Sequence, residues 1–339
     1  MFTTDQLNCL IDLHLHLDGA LTPENCRKLA ALQGIAIPES EEALRRLIQV
    51  EPGCQSLNEF LEKFAFPCSL IRSYEGLKAA TFNLCRELIA QGVMYAEIRF
   101  APQLCTGQGM SQREAICAAR DGLKKSGLKG GLILCCMRGK DNGAANLETV
   151  DLCAEFLGDG VCALDLAGAE AIFPNRDYAD LFAYARQKGL PYTIHAGEAA
   201  GPDSVEVALE YAPKRIGHGV RAIEDEATLA KLVEKQVPLE LCPISNLDTA
   251  IYEELSEYPL RNLWDKGIYM TINTDDPAIE GINQRMQLNA LIEQFSLTKD
   301  EVKQLLLNAA NAAFAPEALK AELRAQIERE FAGETFFSA

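Results

Sequence analysis

The chain has 339 residues, 48% of them hydrophobic and 24% charged, with a formal net charge of −17. That length and apolar content suit one large α/β barrel with insertions and exclude a disordered chain. The acidity argues against nucleic acid as a partner, and no apolar run reaches the ~18 residues that a membrane span needs.

Met1–Asn8 lacks the basic start and apolar stretch of a secretory signal, which points to the cytoplasm. The twelve cysteines are scattered without a C-x-x-C pair. They read as reduced core side chains rather than a disulfide scaffold or a thiolate metal site. No glycine-rich phosphate loop is present.

Along the chain, short apolar β-type runs alternate with helical stretches. Strands are predicted at Cys9–His14, Met94–Phe100, Gly131–Met137, Val161–Leu166, Pro191–His195, Lys214–Gly217, Pro238–Cys242 and Ile268–Asn273. Most are continuously apolar, as parallel strands covered on both faces should be. Capping boxes at Ser111/Glu114 and Thr298/Glu301 start helices, and Gly92 and Gly189 stop them. The alternation predicts a (β/α)8 TIM-type barrel filling residues 1–339, with a doubly wound open sheet as the other reading. The gap between the first two strands is far longer than one loop and helix require, so residues 21–80 are expected to form a helical insertion leaving from the end of strand one. The tail after Glu301 adds further helix.

Chance gives an H-x-H pair in roughly 4% of chains with four histidines in 339 residues. Residues two apart on a strand share a side, so His14 and His16 can aim two imidazoles at one point. A pair of satisfied polar residues at a strand end is the plainer reading of that motif alone. However, His195, His218 and the Asp275-Asp276 pair also fall at predicted strand ends, where barrel enzymes carry their active sites. A histidine in a glycine turn (Gly217-His218-Gly219) and an aspartate capping the turn before Pro277 are ordinary structural alternatives for His218 and Asp276. Three imidazoles and a carboxylate suit zinc, which supplies hydroxide at neutral pH. Glu198, three residues beyond His195, is the natural proton donor, leaving His218 and Asp276 to orient and deprotonate water.

The motifs Ile11-Asp12-Leu13-His14-Leu15-His16-Leu17-Asp18-Gly19-Ala20, Asp165-Leu166-Ala167-Gly168, His195-Ala196-Gly197-Glu198, Gly217-His218-Gly219 and Asn273-Thr274-Asp275-Asp276-Pro277 resemble, in order, those of the adenosine deaminases of the metal-dependent amidohydrolase barrels. The resemblance spans nearly the whole chain. It implies that His14, His16, His195 and Asp275 ligate one zinc, and that Glu198 protonates ring nitrogen 1 of the purine. It also implies that His218 and Asp276 hold and deprotonate water, that the Gly168 amide donates to ring nitrogen 3, and that Asp18 meets the ribose 5′-hydroxyl. The implied substrates are adenosine and 2′-deoxyadenosine, in purine salvage. A deaminase of adenine or of a modified adenosine on the same barrel is the alternative; relatives acting on the free base usually carry glutamate after the second metal histidine. One departure is visible: the family usually shows Asp-Glu where this chain has Ala169-Glu170. The H-x-E…P-C-x-x-C signature of the pyrimidine deaminases is absent.

Leu57, Phe60, Leu61 and Phe64 fall on one helical face behind a Ser56/Glu59 capping box, and the segment looks like the family's lid helix. A core-facing stripe is the competing reading. Asp18 would share the side of the two histidines if the strand stayed extended past His16, and Asp18-Gly19 is also a common turn pair. The sequence leaves the oligomeric state open.

Overall fold

Eight short runs rich in β-branched and leucine side chains form strands: β1 Leu10–His16, β2 Val93–Phe100, β3 Lys129–Met137, β4 Val161–Ala167, β5 Thr193–Ala196, β6 Arg215–His218, β7 Leu239–Leu241 and β8 Met270–Ile272. This is a computed structural model, and it describes residues 2–50, 60 and 62–333. Consecutive strands pair in parallel within two sets, β1–β4 and β5–β8. Parallel bridges Leu164–Tyr192 and Leu15–Asp275 join the two sets and close the ring. The barrel is therefore closed, and the open-sheet reading is set aside.

Alternation along β1 separates two environments. Leu13, Leu15 and Leu17 are fully buried in the apolar layer shared with the helices, whereas Asp12 and His14, equally buried, belong to the polar interior. The same interior receives Glu97 and Arg99 from β2, Asp165 from β4, Arg215 from β6 and Glu240 from β7, all with no exposed surface. Helices cover the outside, and the two capping boxes form as expected. Gly92 and Gly189 take positive φ, the conformation that ends a helix without a Cβ clash.

Between β1 and β2 run four described helices, Pro23–Gln33, Glu41–Ile48, Ala65–Leu70 and Tyr74–Ala90. The last of these packs beside the helix Gln112–Ser126 in the outer layer. The chain finishes with the helices Lys299–Ala312 and Glu317–Phe331 packed on each other. Every described cysteine is free, and most are buried, as core thiols should be. Among the described residues no helix is long and apolar enough to cross a membrane.

Candidate metal centre and active site

The site lies where the barrel closes. The Asp275 amide donates to the His14 carbonyl at 2.8 Å, and the His16 amide donates to the Asp275 carbonyl at 2.8 Å. Backbone pairing thus fixes the three side chains relative to one another. Asp275 (φ 71°) and His218 (φ 57°) both hold the left-handed conformation, which costs a non-glycine residue about 1–3 kcal/mol and concentrates at functional sites.

The side chains converge. His14 Nε2 stands 3.1 Å and His16 Nε2 3.3 Å from Asp275 Oδ1, and the Nε2 atoms of His16 and His195 are 3.3 Å apart. One ligand atom from each of His14, His195, His218 and Asp275 lies within 4.8 Å of the others. His14 Nε2 is buried without a hydrogen-bond partner. Burial pushes the His16 and His218 imidazoles well below their ordinary pKa, which keeps a nitrogen lone pair free. Burial opposes ionisation of Asp275, but the neighbouring His14 and His218 hold its carboxyl well below the usual carboxylate range. Imidazole nitrogens around one carboxylate form a nitrogen/oxygen donor set that fits a borderline divalent cation.

A buried charge network orients these groups. Glu240 Oε2 meets His14 Nδ1 at 2.7 Å, and Asp165 Oδ2 meets His195 Nδ1 at 3.0 Å. Each carboxylate fixes the far nitrogen of its ring and leaves Nε2 for the centre. Arg99 ties the two carboxylates together, at 2.8 Å from each. Arg215 bonds Glu240 at 2.5 Å and Glu97 at 2.6 Å. Removing one member of such a buried set strands a charge, typically at ~3–5 kcal/mol. Ser245 Oγ donates to Asp275 Oδ2 at 2.7 Å, which holds the carboxylate's second oxygen.

Around the cluster is a cavity of about 370 Å³, within the small-molecule range. His16, Asp18, Phe60, Phe64, Gly168, His195, Glu198, His218, Asp275 and Asp276 all line it, and His14 lies fully buried beside it. Leu57, Leu61 and the Ser56/Glu59 box fall outside the described residues. Phe60 is 3% exposed, yet it packs with Ile279, Val50 and Phe64 in a small cluster apart from the main core. That placement separates it from an ordinary core stripe.

Glu198 is 3.6 Å from His218 Nε2, and burial pushes its carboxyl up to about 8, with the Asp275 and Glu170 charges adding to the rise. A carboxyl so raised holds its proton at neutral pH, as a general acid requires. Asp276 is likewise raised, by burial first and then by the Asp275 charge; its Oδ1 is buried without a partner.

Asp18 reaches the cavity by a route different from the one expected. The strand stops at His16, Leu17 turns helical, and Asp18 opens a short 3-10 turn, so the extended geometry does not persist. Its Oδ1 is nevertheless buried and unpartnered, while Oδ2 accepts from Cys68 Sγ at 3.7 Å. Gly19 is required for space: an ideal Cβ there would lie 1.7 Å from Asp276 Oδ1. Gly217 similarly leaves room for His14, whose Cε1 would be 3.1 Å from an added Cβ.

Sequence reasoning missed several contributors. Glu170 accepts from the amides of Gly197 at 2.7 Å, Glu198 at 3.1 Å and Ala200 at 2.9 Å, so the loop carrying the proposed acid is pinned despite Ala169. Arg138 donates to the His195 carbonyl at 2.7 Å and to Asn175 at 2.8 Å. Charges two residues apart inside an apolar run, as in Glu97 and Arg99, were the signal available for the interior network.

Comparison with known proteins agrees with this geometry. The sequence model of the adenosine deaminase family matches residues 9–330. A Haemophilus ducreyi protein named adenosine deaminase is 45% identical, over 95% of this chain and 96% of its own. One of the same name from Enterococcus faecalis is 35% identical over 95% and 96%. Among solved structures, an adenine deaminase from Arthrobacter aurescens superposes with a TM-score of 0.86 at 28% identity, covering 95% of this chain and 99% of that one. An amidohydrolase from Burkholderia ambifaria with bound zinc shares the fold, at a TM-score of 0.85, 21% identity and coverage of 96% and 92%.

Proposed function

The chain belongs to the adenosine deaminase family, and we propose on that premise that it hydrolyses adenosine and 2′-deoxyadenosine to inosine and 2′-deoxyinosine with release of ammonia. The site reading is one zinc ion per chain, held by His14, His16, His195 and Asp275. The observation that carries it is the convergence of these groups on one point, with His14 Nε2 buried and unpartnered there. Bound, the ion supplies a hydroxide-strength nucleophile at neutral pH.

The chain's own groups do the rest. The purine enters the cavity beside Gly168, whose amide is proposed to meet ring nitrogen 3. Addition of water to an aromatic ring piles negative charge on ring nitrogen 1 unless a proton arrives there; the Glu198 carboxyl, raised by burial, supplies it. His218, kept unprotonated by burial, and Asp276 orient the attacking water; His218 takes the water's proton and passes it to the amine, which departs as ammonia. Asp18, which lines the cavity and has one carboxylate oxygen unpartnered, accepts from the ribose 5′-hydroxyl. The insertion at 21–80 serves as a cover: Phe60 and Phe64 close on the purine and exclude water.

The ultraviolet change of adenosine becoming inosine, followed with and without chelator, tests the reading. Adenosine should be turned over well ahead of adenine and adenosine monophosphate, and chelation should abolish the change. A preference for adenine, the substrate named for the Arthrobacter neighbour, would transfer the assignment to the free base.

A further inference from the structure

The link between the last two helices reaches back to the interior charge network. Ala312 ends the helix Lys299–Ala312, and Phe314 follows it before the helix Glu317–Phe331 begins. Both meet Arg215, the first residue of β6. Arg215 Nη1 donates to the Ala312 carbonyl at 2.8 Å, and the Phe314 ring lies over the guanidinium, its centroid 3.8 Å from Cζ. The Phe314 amide donates to Glu97 Oε1 at 2.5 Å, while Glu97 Oε2 takes Arg215 Nη2. Arg215 Nε goes to Glu240 Oε1 at 2.5 Å, and the other oxygen of Glu240 meets His14 Nδ1 at 2.7 Å. A single carboxylate thus stands between Arg215 and the His14 ring. Arg215 has no exposed surface, whereas the phenyl ring stacked on it is half-buried, so the ring covers the cation on a side that borders solvent.

We propose that Phe314 is a positioning residue for the metal centre: by covering Arg215 it holds Glu240 in place, and through Glu240 the His14 ring. The proposal rests on the reading of His14 as a metal ligand. An aromatic face attracts a guanidinium laid flat on it, and ion pairs hold hardest where water is kept out. Without the ring, water reaches Arg215 and competes for its N–H groups. Glu240 then loses the partner that fixes Oε1, and a carboxylate free to turn no longer fixes the ring that Oε2 orients. Losing a group that orients a metal ligand typically costs about 10–100-fold in metal affinity. Phe314 acts one contact further out, so the low end, about tenfold, is expected. The tail beyond the barrel thereby has a part in the site, although Phe314 does not line the cavity.

Two measurements on the full chain test this, and neither needs a substrate. One is the loss of zinc to a competing chromophoric chelator. The other is the visible absorption of the cobalt(II)-substituted protein, which reports the geometry of the ligands. Phe314→Leu keeps an apolar side chain but no aromatic face, and Phe314→Tyr keeps the face. Phe314→Leu should hold zinc about tenfold more weakly and shift the cobalt bands, whereas Phe314→Tyr should match the wild type in both. Phe314→Met also lacks the ring and takes the place of Phe314→Leu should that variant not fold. Wild-type zinc retention in Phe314→Leu would overturn the proposal. So would a lowered Tm with unmoved cobalt bands, the mark of a purely structural role, or a Phe314→Tyr protein as weak as Phe314→Leu. Full zinc in His14→Ala would instead remove the ligand reading underneath, so the two failures are distinguishable.

Discussion

Gly19→Ala isolates Asp276 from every other group in the site. Gly19 is not in the left-handed region, so alanine costs the backbone nothing. The new Cβ would stand 1.7 Å from Asp276 Oδ1, 2.5 Å from its Cγ and 2.7 Å from its Cβ, and these are its three nearest neighbours. Ordinary contact begins near ~3.5 Å, so the carboxylate must retreat by about 2 Å or rotate away. Overpacking of this kind costs about 1–3 kcal/mol, a shift of a few degrees in Tm for a chain of this size. Displacing a catalytic group by only ~1 Å costs about 10²-fold, so kcat should fall at least that far. Metal content, measured by elemental analysis, should stay at one per chain because no proposed ligand is among the atoms struck. The double variant with Asp276→Gly should be about as fast as Asp276→Gly alone, since all three struck atoms are then gone. Wild-type kcat in Gly19→Ala would refute the role given to Asp276. A double variant far slower than Asp276→Gly would show that the methyl acts elsewhere.

Four further outcomes are expected. His14→Ala and Asp275→Ala should lose both metal and turnover; full metal and activity in both would overturn the ligand set. Glu198→Gln should bind metal normally and turn over about 10²–10⁴-fold more slowly, and near-normal turnover would remove it as the acid. Phe60→Ala should raise KM while leaving the protein folded, because its small cluster is separate from the main core; a large drop in Tm with unchanged kinetics would make it a core residue. Asp18→Ala should lose about 10–10² in kcat/KM on adenosine, the worth of one charge-assisted hydrogen bond, and change little on 5′-deoxyadenosine. Equal losses on the two nucleosides would make Asp18 structural.

The parts of the fold legible in the sequence were those written in periodicity and punctuation. Continuous apolar runs placed all eight strands to within a few residues, and Ser111/Glu114 and Thr298/Glu301 marked helix starts that the structure repeats. The spacing of His14 and His16 survived because both belong to β1 itself. Asp18 did not follow the same rule: one helical residue, Leu17, ends the strand before it, and no local pattern announces that turn. Contacts across the ring were the least readable. Glu240 belongs to His14 and Arg99 to Asp165 only because closure stacks their strands, and nothing near either residue in sequence names its partner. Ser245 looks like part of a plain helix start after Cys242-Pro243, and its importance lies wholly in what the barrel brings opposite it.

The two backbone hydrogen bonds joining Asp275 to His14 and His16 make the centre a clasp between the first strand and the last. Its halves are drawn from opposite ends of the chain, so neither exists as a site until the ring has been completed. A lesion that keeps β8 from reaching β1, however remote from the cavity, should therefore register first as missing metal and only afterwards as weakened substrate binding. Metal stoichiometry becomes a gauge of assembly, able to separate a population of incomplete barrels from one of intact barrels that work slowly.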